Sequence, residues 1–135
     1  MLCLDLYAAS RGVIKAYGPL LAKLGLTYPQ YLVLMALWEK EPLAVKELAT
    51  LLSLDSGTLS PLLKRLETAG LVIRTRSKVD ERGVLIALTE AGRALEAKSQ
   101  AVSEEIICLF GMTLEQVKGL QGTLRGITAR MEGGA

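Results

Sequence analysis

Between Leu43 and Thr89 the hydrophobic period changes from helical to strand-like, and that change leaves few folds open to the chain. Leu43, Leu48, Leu51 and Leu52 supply a helical apolar stripe, Ser53 to Gly57 carry turn chemistry, and Leu59, Leu62, Leu63 and Leu66 supply a second stripe. Gly70 is placed to end the second helix as the residue just past its cap. Strand-like runs follow at Leu71 to Thr75 and Val84 to Leu88, with Arg76, Lys78, Asp80, Glu81 and Arg82 between them. Helix, tight turn, helix and charged hairpin in that order predict a winged helix-turn-helix, a DNA-binding unit.

The rest of the chain narrows the class. Its 135 residues suit one domain, or one domain with a dimerising extension. Half the residues are hydrophobic and only 4% aromatic, so the core must come from Leu, Ala, Val and Ile, which suits helix packing. The expected fold is mainly α with a small β-hairpin wing. No run approaches the roughly 18 apolar residues of a membrane span. Asp5, Arg11 and Lys15 interrupt any signal-peptide pattern, so a cytoplasmic protein without a membrane partner is expected.

A net charge of +2 says little, but its distribution says more. From Lys64 to Arg82 there are six cations (Lys64, Arg65, Arg74, Arg76, Lys78, Arg82) against three acids (Glu67, Asp80, Glu81). This local excess gathers positive charge on the second helix and hairpin, where a phosphate backbone would lie. Histidine is absent, which removes Ser-His-Asp and Cys-His nucleophiles and His-bearing metal sites. Two cysteines 105 residues apart form neither a thiolate zinc cage nor a Cys-x-x-Cys pair. No enzyme, metal or cofactor is expected.

Outside the winged unit the pattern is helical. Leu2, Leu6, Ala9, Val13, Ala16, Leu20 and Leu24 form a first stripe that Gly25 closes, and Thr27 and Pro29 open a helix burying Tyr31, Leu34, Met35 and Trp38. Thr89 caps a long helix striped by Ala91, Leu95, Val102, Ile106 and Leu109 and ended by Gly111. Leu114, Val117, Leu120, Leu124, Ile127 and Met131 stripe the last helix. These readings divide a single domain, 1–135, into a winged core at 28–89, a connecting helix at 90–111 and dimerisation helices at 1–27 and 112–135. The surplus apolar stripe is most economically buried against a second copy, and a twofold pair of recognition helices gains affinity and specificity on DNA.

Three segments carry a family resemblance: Val45-Lys46-Glu47-Leu48-Ala49, Leu63 through Val72, and Asp80-Glu81-Arg82 with Leu88-Thr89-Glu90-Ala91-Gly92. They resemble the MarR family of winged helix-turn-helix regulators. Leu6 to Arg11, Leu26 to Val33 and Leu54 to Leu63 are similar to its organic-hydroperoxide-resistance (OhrR) branch, two-cysteine type. The resemblance implies that Arg82 enters the minor groove with Asp80 holding its guanidinium. It also implies that Cys3 is the redox sensor, that Tyr7, Tyr17 and Tyr28 surround it, and that Cys108 of the other subunit resolves its sulfenic acid as a disulfide. Members of that branch generally carry a longer lead than Met1 and Leu2, so either the first helix begins almost at the sensor or the native start lies upstream.

Helix geometry bears on the sensor independently. Cys3 and Tyr7 are four residues apart and share a face. Tyr17 lies on nearly the same side but about 21 Å farther along, so it can meet Cys3 only from a second copy with the first helices antiparallel. Oxidation needs a thiolate, whereas a free cysteine titrates at about 8.5. Phenol donors and a helix N-terminus favour the anion, and Leu2 and Leu6 favour an organic hydroperoxide over hydrogen peroxide.

The expected function is a homodimeric repressor that binds double-stranded operator DNA and is released when Cys3 is oxidised by organic hydroperoxide. Ser56, Thr58, Ser60 and Lys64 would face base edges, with Arg65 nearer the backbone and Arg76, Lys78 and Arg82 on phosphates or in the minor groove. Pro61 is expected to bend or loosen its helix. Two alternatives remain: a repressor relieved by a small aromatic acid, and a thiol peroxidase with a basic wing.

Overall fold

Leu43, expected at the head of a helical stripe, instead begins a third strand. In the computed structural model, which describes residues 1–79 and 83–133, the elements are α1 (Leu2–Ala22), α2 (Tyr28–Glu39), β1 (Leu43–Ala44), α3 (Val45–Leu52), α4 (Ser56–Thr68), β2 (Val72–Arg76), β3 (Val84–Leu88), α5 (Glu90–Phe110) and α6 (Leu114–Gly133). The sheet is antiparallel in the order β1-β3-β2, with Leu43 opposite Ile86 and Arg74 opposite Ile86 from the other side. The expected two-stranded hairpin is therefore the outer part of a three-stranded sheet. Two residues of β1 are too short to show a period of two, which is why the sequence pattern absorbed Leu43 into the following helix.

Local chemistry sets the helix starts. Thr27 Oγ1 accepts from Gln30 N–H at 3.3 Å while Gln30 Oε1 accepts from Thr27 N–H at 3.0 Å, a reciprocal cap for α2. Glu47 Oε1 takes the Ala44 N–H at 3.1 Å before α3, and Asp55 Oδ1 takes the Thr58 N–H at 2.6 Å before α4. That backbone donor also holds the Asp55 carboxyl below its usual range. Between α3 and α4 the chain turns at Ser53, which has φ of 52° in the left-handed region. At the far end of α4, Gly70 adopts φ of 77°, and the Leu71 N–H reaches back to the Leu66 carbonyl at 3.0 Å.

The chain forms two compact units, 1–102 and 103–135. In the first, Leu48 of α3, Leu59, Leu62, Leu63 and Leu66 of α4, and Val72, Ile86 and Leu88 of the sheet share a core with Leu21 of α1 and Tyr31, Val33, Leu34 and Leu37 of α2. Three expected core positions differ. Met35 and Leu51 are exposed, at 41% and 64%, and Ala91 is exposed while Gly92 is buried in its place. The first-helix stripe divides: Leu20 and Leu24 pack on the core, whereas Leu2 and Leu6 stay exposed. In the second unit α6 buries none of its residues, and Leu114, Leu120, Leu124 and Met131 all face out.

The start of α5 is pinned at several points. Thr89 Oγ1 donates to the Gly70 carbonyl at 2.6 Å and accepts from the Gly92 N–H at 3.1 Å. Trp38 Nε1 donates to the Gly92 carbonyl at 2.9 Å. Glu41 accepts from the Leu88 N–H at 3.2 Å and pairs with Arg93 at 2.9 Å, and the Arg93 hydrogen bond holds the Glu41 carboxyl below its usual range.

Gly92 permits this docking because a β-carbon there would run into the Leu71 carbonyl. Alanine normally favours a helix interior by about 1 kcal/mol over glycine, but forcing atoms into a filled contact costs roughly 1 to 3 kcal/mol. Gly92→Ala should therefore lower stability to urea, by up to about 2 kcal/mol. A more stable variant would contradict the close approach.

Candidate nucleic-acid interface and thiol site

The helix-turn-helix presents α4 with one apolar face inward and a polar face outward. Leu59, Leu62, Leu63 and Leu66 are buried, while Ser56, Thr58, Ser60, Lys64 and Arg65 are all exposed. Ser56, Ser60 and Lys64 follow one another at four-residue spacing along one edge of that outer face, and Thr58 and Arg65 lie toward the other. Pro61 stands between the two edges and is exposed. The helix runs unbroken from Ser56 to Thr68. The proline removes only the bond to the Gly57 carbonyl, and both residues lie on the exposed side, where water can take that carbonyl.

Beside α4 the sheet extends the cationic surface. Arg76 ends β2 and Lys78 follows it, both exposed. Ser77 N–H pairs with the Gly83 carbonyl at 2.9 Å, keeping the two sides of the wing together beyond the strands. Arg74 is not an equivalent cation, because its guanidinium pairs with Glu67 of α4 at 3.3 Å. That pair ties the sheet to the recognition helix. Asp80 and Arg82, the expected wing-tip pair, lie outside the described residues.

The thiol side is built on α1. Cys3 occupies the first turn and is exposed, flanked by the exposed Leu2, Leu4 and Leu6. Tyr7 is exposed one turn later, with the Arg11 guanidinium carbon 5.7 Å from its ring centroid. Tyr17 is elsewhere: its ring centroid lies 5.1 Å from Tyr28 and 5.4 Å from Tyr31 of α2. Since α1 is one helix from Leu2 to Ala22, Cys3 and Tyr17 are about 21 Å apart along it. A single chain thus brings Tyr17 and Tyr28 together and leaves Cys3 and Tyr7 apart from them.

Burial sets the acidity of the tyrosine pair. It pushes the Tyr17 phenol up to about 12, aided by neighbouring Tyr31 and Tyr28, and it raises Tyr28 as well. Both therefore remain hydrogen-bond donors at any pH near neutrality. Tyr31, read from the sequence as core alone, belongs to the same cluster; its place three residues after Tyr28 on α2 was the available signal. Cys108 lies in the last turn of α5, in the second unit, and is exposed. Among the described residues there is no cluster of side chains suited to a metal ion. No helix among them is long and apolar enough to cross a membrane.

Comparison with known proteins places this geometry. Residues 15–98 match the transcriptional regulator SarA/Rot family. The organic hydroperoxide resistance transcriptional regulator of Bacillus subtilis is 51% identical over 91% of this chain and 84% of its own length. AbfR of Staphylococcus epidermidis, in a structure of its reduced form bound to DNA, is 35% identical with a TM-score of 0.76, covering 96% of this chain and 91% of that one. A disulfide-formed AbfR superposes with a TM-score of 0.66 at 37% identity, over 93% and 88% of the two chains. MarR of E. coli in its apo form gives 0.77 at 28% identity, over 94% and 96%. The chain belongs to the SarA/Rot family of MarR-like winged helix-turn-helix transcriptional regulators, as DNA-binding proteins rather than enzymes.

Proposed function

We propose that the protein is a homodimeric repressor whose operator complex is dissolved when an organic hydroperoxide oxidises Cys3 and the product is trapped as a disulfide with Cys108 of the partner subunit. The observation that carries this is Cys3 exposed in the first turn of an apolar, unburied helix end. Its neighbours Leu2, Leu4 and Leu6 surround the thiol with apolar side chains that suit an apolar peroxide. The likeness to a protein solved both reduced on DNA and with a disulfide formed supports the same cycle here.

The dimer follows from unburied surface. Leu2, Leu4, Leu6 and Ile14 on α1 and Leu114, Leu120, Leu124 and Met131 on α6 are exposed in one chain. Each such side chain gains roughly 1.5 to 3 kcal/mol when fully buried, enough in sum to favour a second copy. An antiparallel crossing of two α1 helices would also bring Cys3 of one subunit toward Tyr17 and Tyr28 of the other, which a single chain keeps about 21 Å away.

The redox step balances without a further reagent. The Cys3 thiolate attacks the terminal oxygen of R–O–O–H, the O–O bond breaks, the alkoxide takes a proton and leaves as the alcohol, and Cys3 becomes a sulfenic acid. The partner's Cys108 thiolate then attacks that sulfur, the S–S bond forms as the S–O bond breaks, and the departing hydroxide takes a proton and leaves as water. A disulfide holds its Cα atoms within roughly 7 Å, so its formation fixes one arrangement of α1 and α5. Recognition helices set about one DNA turn apart in the reduced dimer would lose that spacing.

On DNA, Ser56, Thr58, Ser60 and Lys64 would meet base edges, Arg65 the backbone, and Arg76, Lys78 and Arg82 of the wing phosphates or the minor groove, with Asp80 steadying Arg82. Arg76→Ala or Lys78→Ala should weaken operator and random DNA alike, and should lower the slope of log affinity against log salt by about one per lost contact. An unchanged slope would remove that residue from the phosphate contacts.

The sensor assignment is tested by Cys3→Ser. The variant should bind operator like the parent when reduced and stay bound at a cumene hydroperoxide dose that releases the parent. Release of the variant at that dose would assign sensing to another group, and retained release by a small aromatic acid would favour the ligand-relieved alternative.

A further inference from the structure

Tyr31 is a buried ionisable side chain that the redox step above leaves unused. It is 1% exposed and sits between two other rings, with Tyr17 at 5.4 Å between centroids and Trp38 at 6.1 Å edge-on. Its side chain also shares a hydrogen bond with Tyr17, in the sense that favours the protonated Tyr17. A phenylalanine would serve the core packing equally well, so the hydroxyl at this depth calls for a role.

We propose that Tyr31 is a positioning residue of the redox site, whose hydroxyl holds that of Tyr17 in place and strengthens it as a donor to the partner subunit's Cys3. This rests on Cys3 being the sensor. Tyr28 and Tyr31 flank the Tyr17 ring at 5.1 and 5.4 Å, so what remains free to turn is the hydroxyl hydrogen. A thiolate is a stronger acceptor than a phenol oxygen, because bonds to a charged acceptor are roughly twice as strong as neutral ones. When the thiolate is in reach, the Tyr17 hydrogen turns to it and the Tyr31 hydrogen turns to the Tyr17 oxygen. No heavy atom moves. A donor that itself accepts a hydrogen bond is polarised and donates more strongly, and burial pushes the Tyr17 phenol up to about 12, so it keeps its proton throughout.

The test uses the full-length dimer carrying Cys108→Ser, so that a single thiol is read, with and without Tyr31→Phe, Tyr17→Phe and both. The pH profile of Cys3 alkylation by iodoacetamide is measured beside operator affinity of the reduced protein. Tyr31→Phe should slow alkylation near neutral pH by roughly 1.3-fold to 4-fold, as expected for losing the strengthening of one charge-assisted hydrogen bond rather than the bond itself, and leave the high-pH plateau and operator affinity as in the parent. The double variant should be no slower than Tyr17→Phe alone, because Tyr31 acts through Tyr17. A profile for Tyr31→Phe that coincides with the parent's, or losses that multiply in the double variant, would overturn the role of Tyr31 while leaving Cys3 as sensor. A Cys3→Ser protein that still releases operator in peroxide would instead overturn the functional reading on which the proposal stands.

Discussion

Thr89, Gly92 and Trp38 meet at the head of α5, and the winged unit depends on that meeting. Thr89 fastens the helix to the Gly70 carbonyl where the recognition helix ends, and Trp38 fastens it to α2 through the Gly92 carbonyl. Glu41 adds the end of β3 and the Arg93 side chain to the same point. Each bond taken alone is worth only about 1 kcal/mol net, and somewhat more where breaking it strands a buried group. Together they join α2, α4, the sheet and α5 at one point. In the proposed switch, a change in how α5 stands would thereby be felt at α4, the helix proposed to read DNA.

The aromatic side chains continue that junction toward the thiol chemistry. Trp38 contacts Tyr31, Tyr31 contacts Tyr17, and Tyr17 contacts Tyr28. The Tyr17, Tyr28 and Tyr31 rings thus sit in or against the same core that holds α4. Cys3 lies at the other end of α1, on a helix surface that one chain leaves bare. In the proposed dimer a second copy would cover that surface and complete the thiol site in the same act, so dimerisation and sensing would share one physical cause, the burial of α1.

Much of this was legible in the sequence because it rests on period and caps. The α4 stripe of Leu59, Leu62, Leu63 and Leu66, the Thr27 and Thr89 caps and the β2 and β3 runs could be read directly from residue spacing. What escaped was set by tertiary contact. Two residues of β1 carry no period. Gly92 is buried by an approach of two backbones that no side-chain pattern announces. Met35 and Leu51 follow the helical stripe yet face outward, where a single chain offers no partner. Arg74 looked like another phosphate cation until the strand brought it beside Glu67, and Tyr31 looked like plain core because burial alone says nothing about what its hydroxyl meets. The outward face of α4 could be read from helix geometry, whereas the proposed thiol site could not be completed from one chain, since Cys3 and Tyr7 lie at the start of α1 while Tyr17 lies near its other end, against Tyr28 and Tyr31 of α2.

The central claim is that oxidation and operator release are linked through a bond between subunits. Reduced protein on operator DNA is titrated with cumene hydroperoxide, and each sample is divided between a DNA-binding assay and a non-reducing gel. The account predicts that a covalent dimer grows in proportion to the loss of operator binding, and that dithiothreitol restores the monomer band and the DNA complex together. Complete release of operator from protein that remains entirely monomeric on the gel would contradict it.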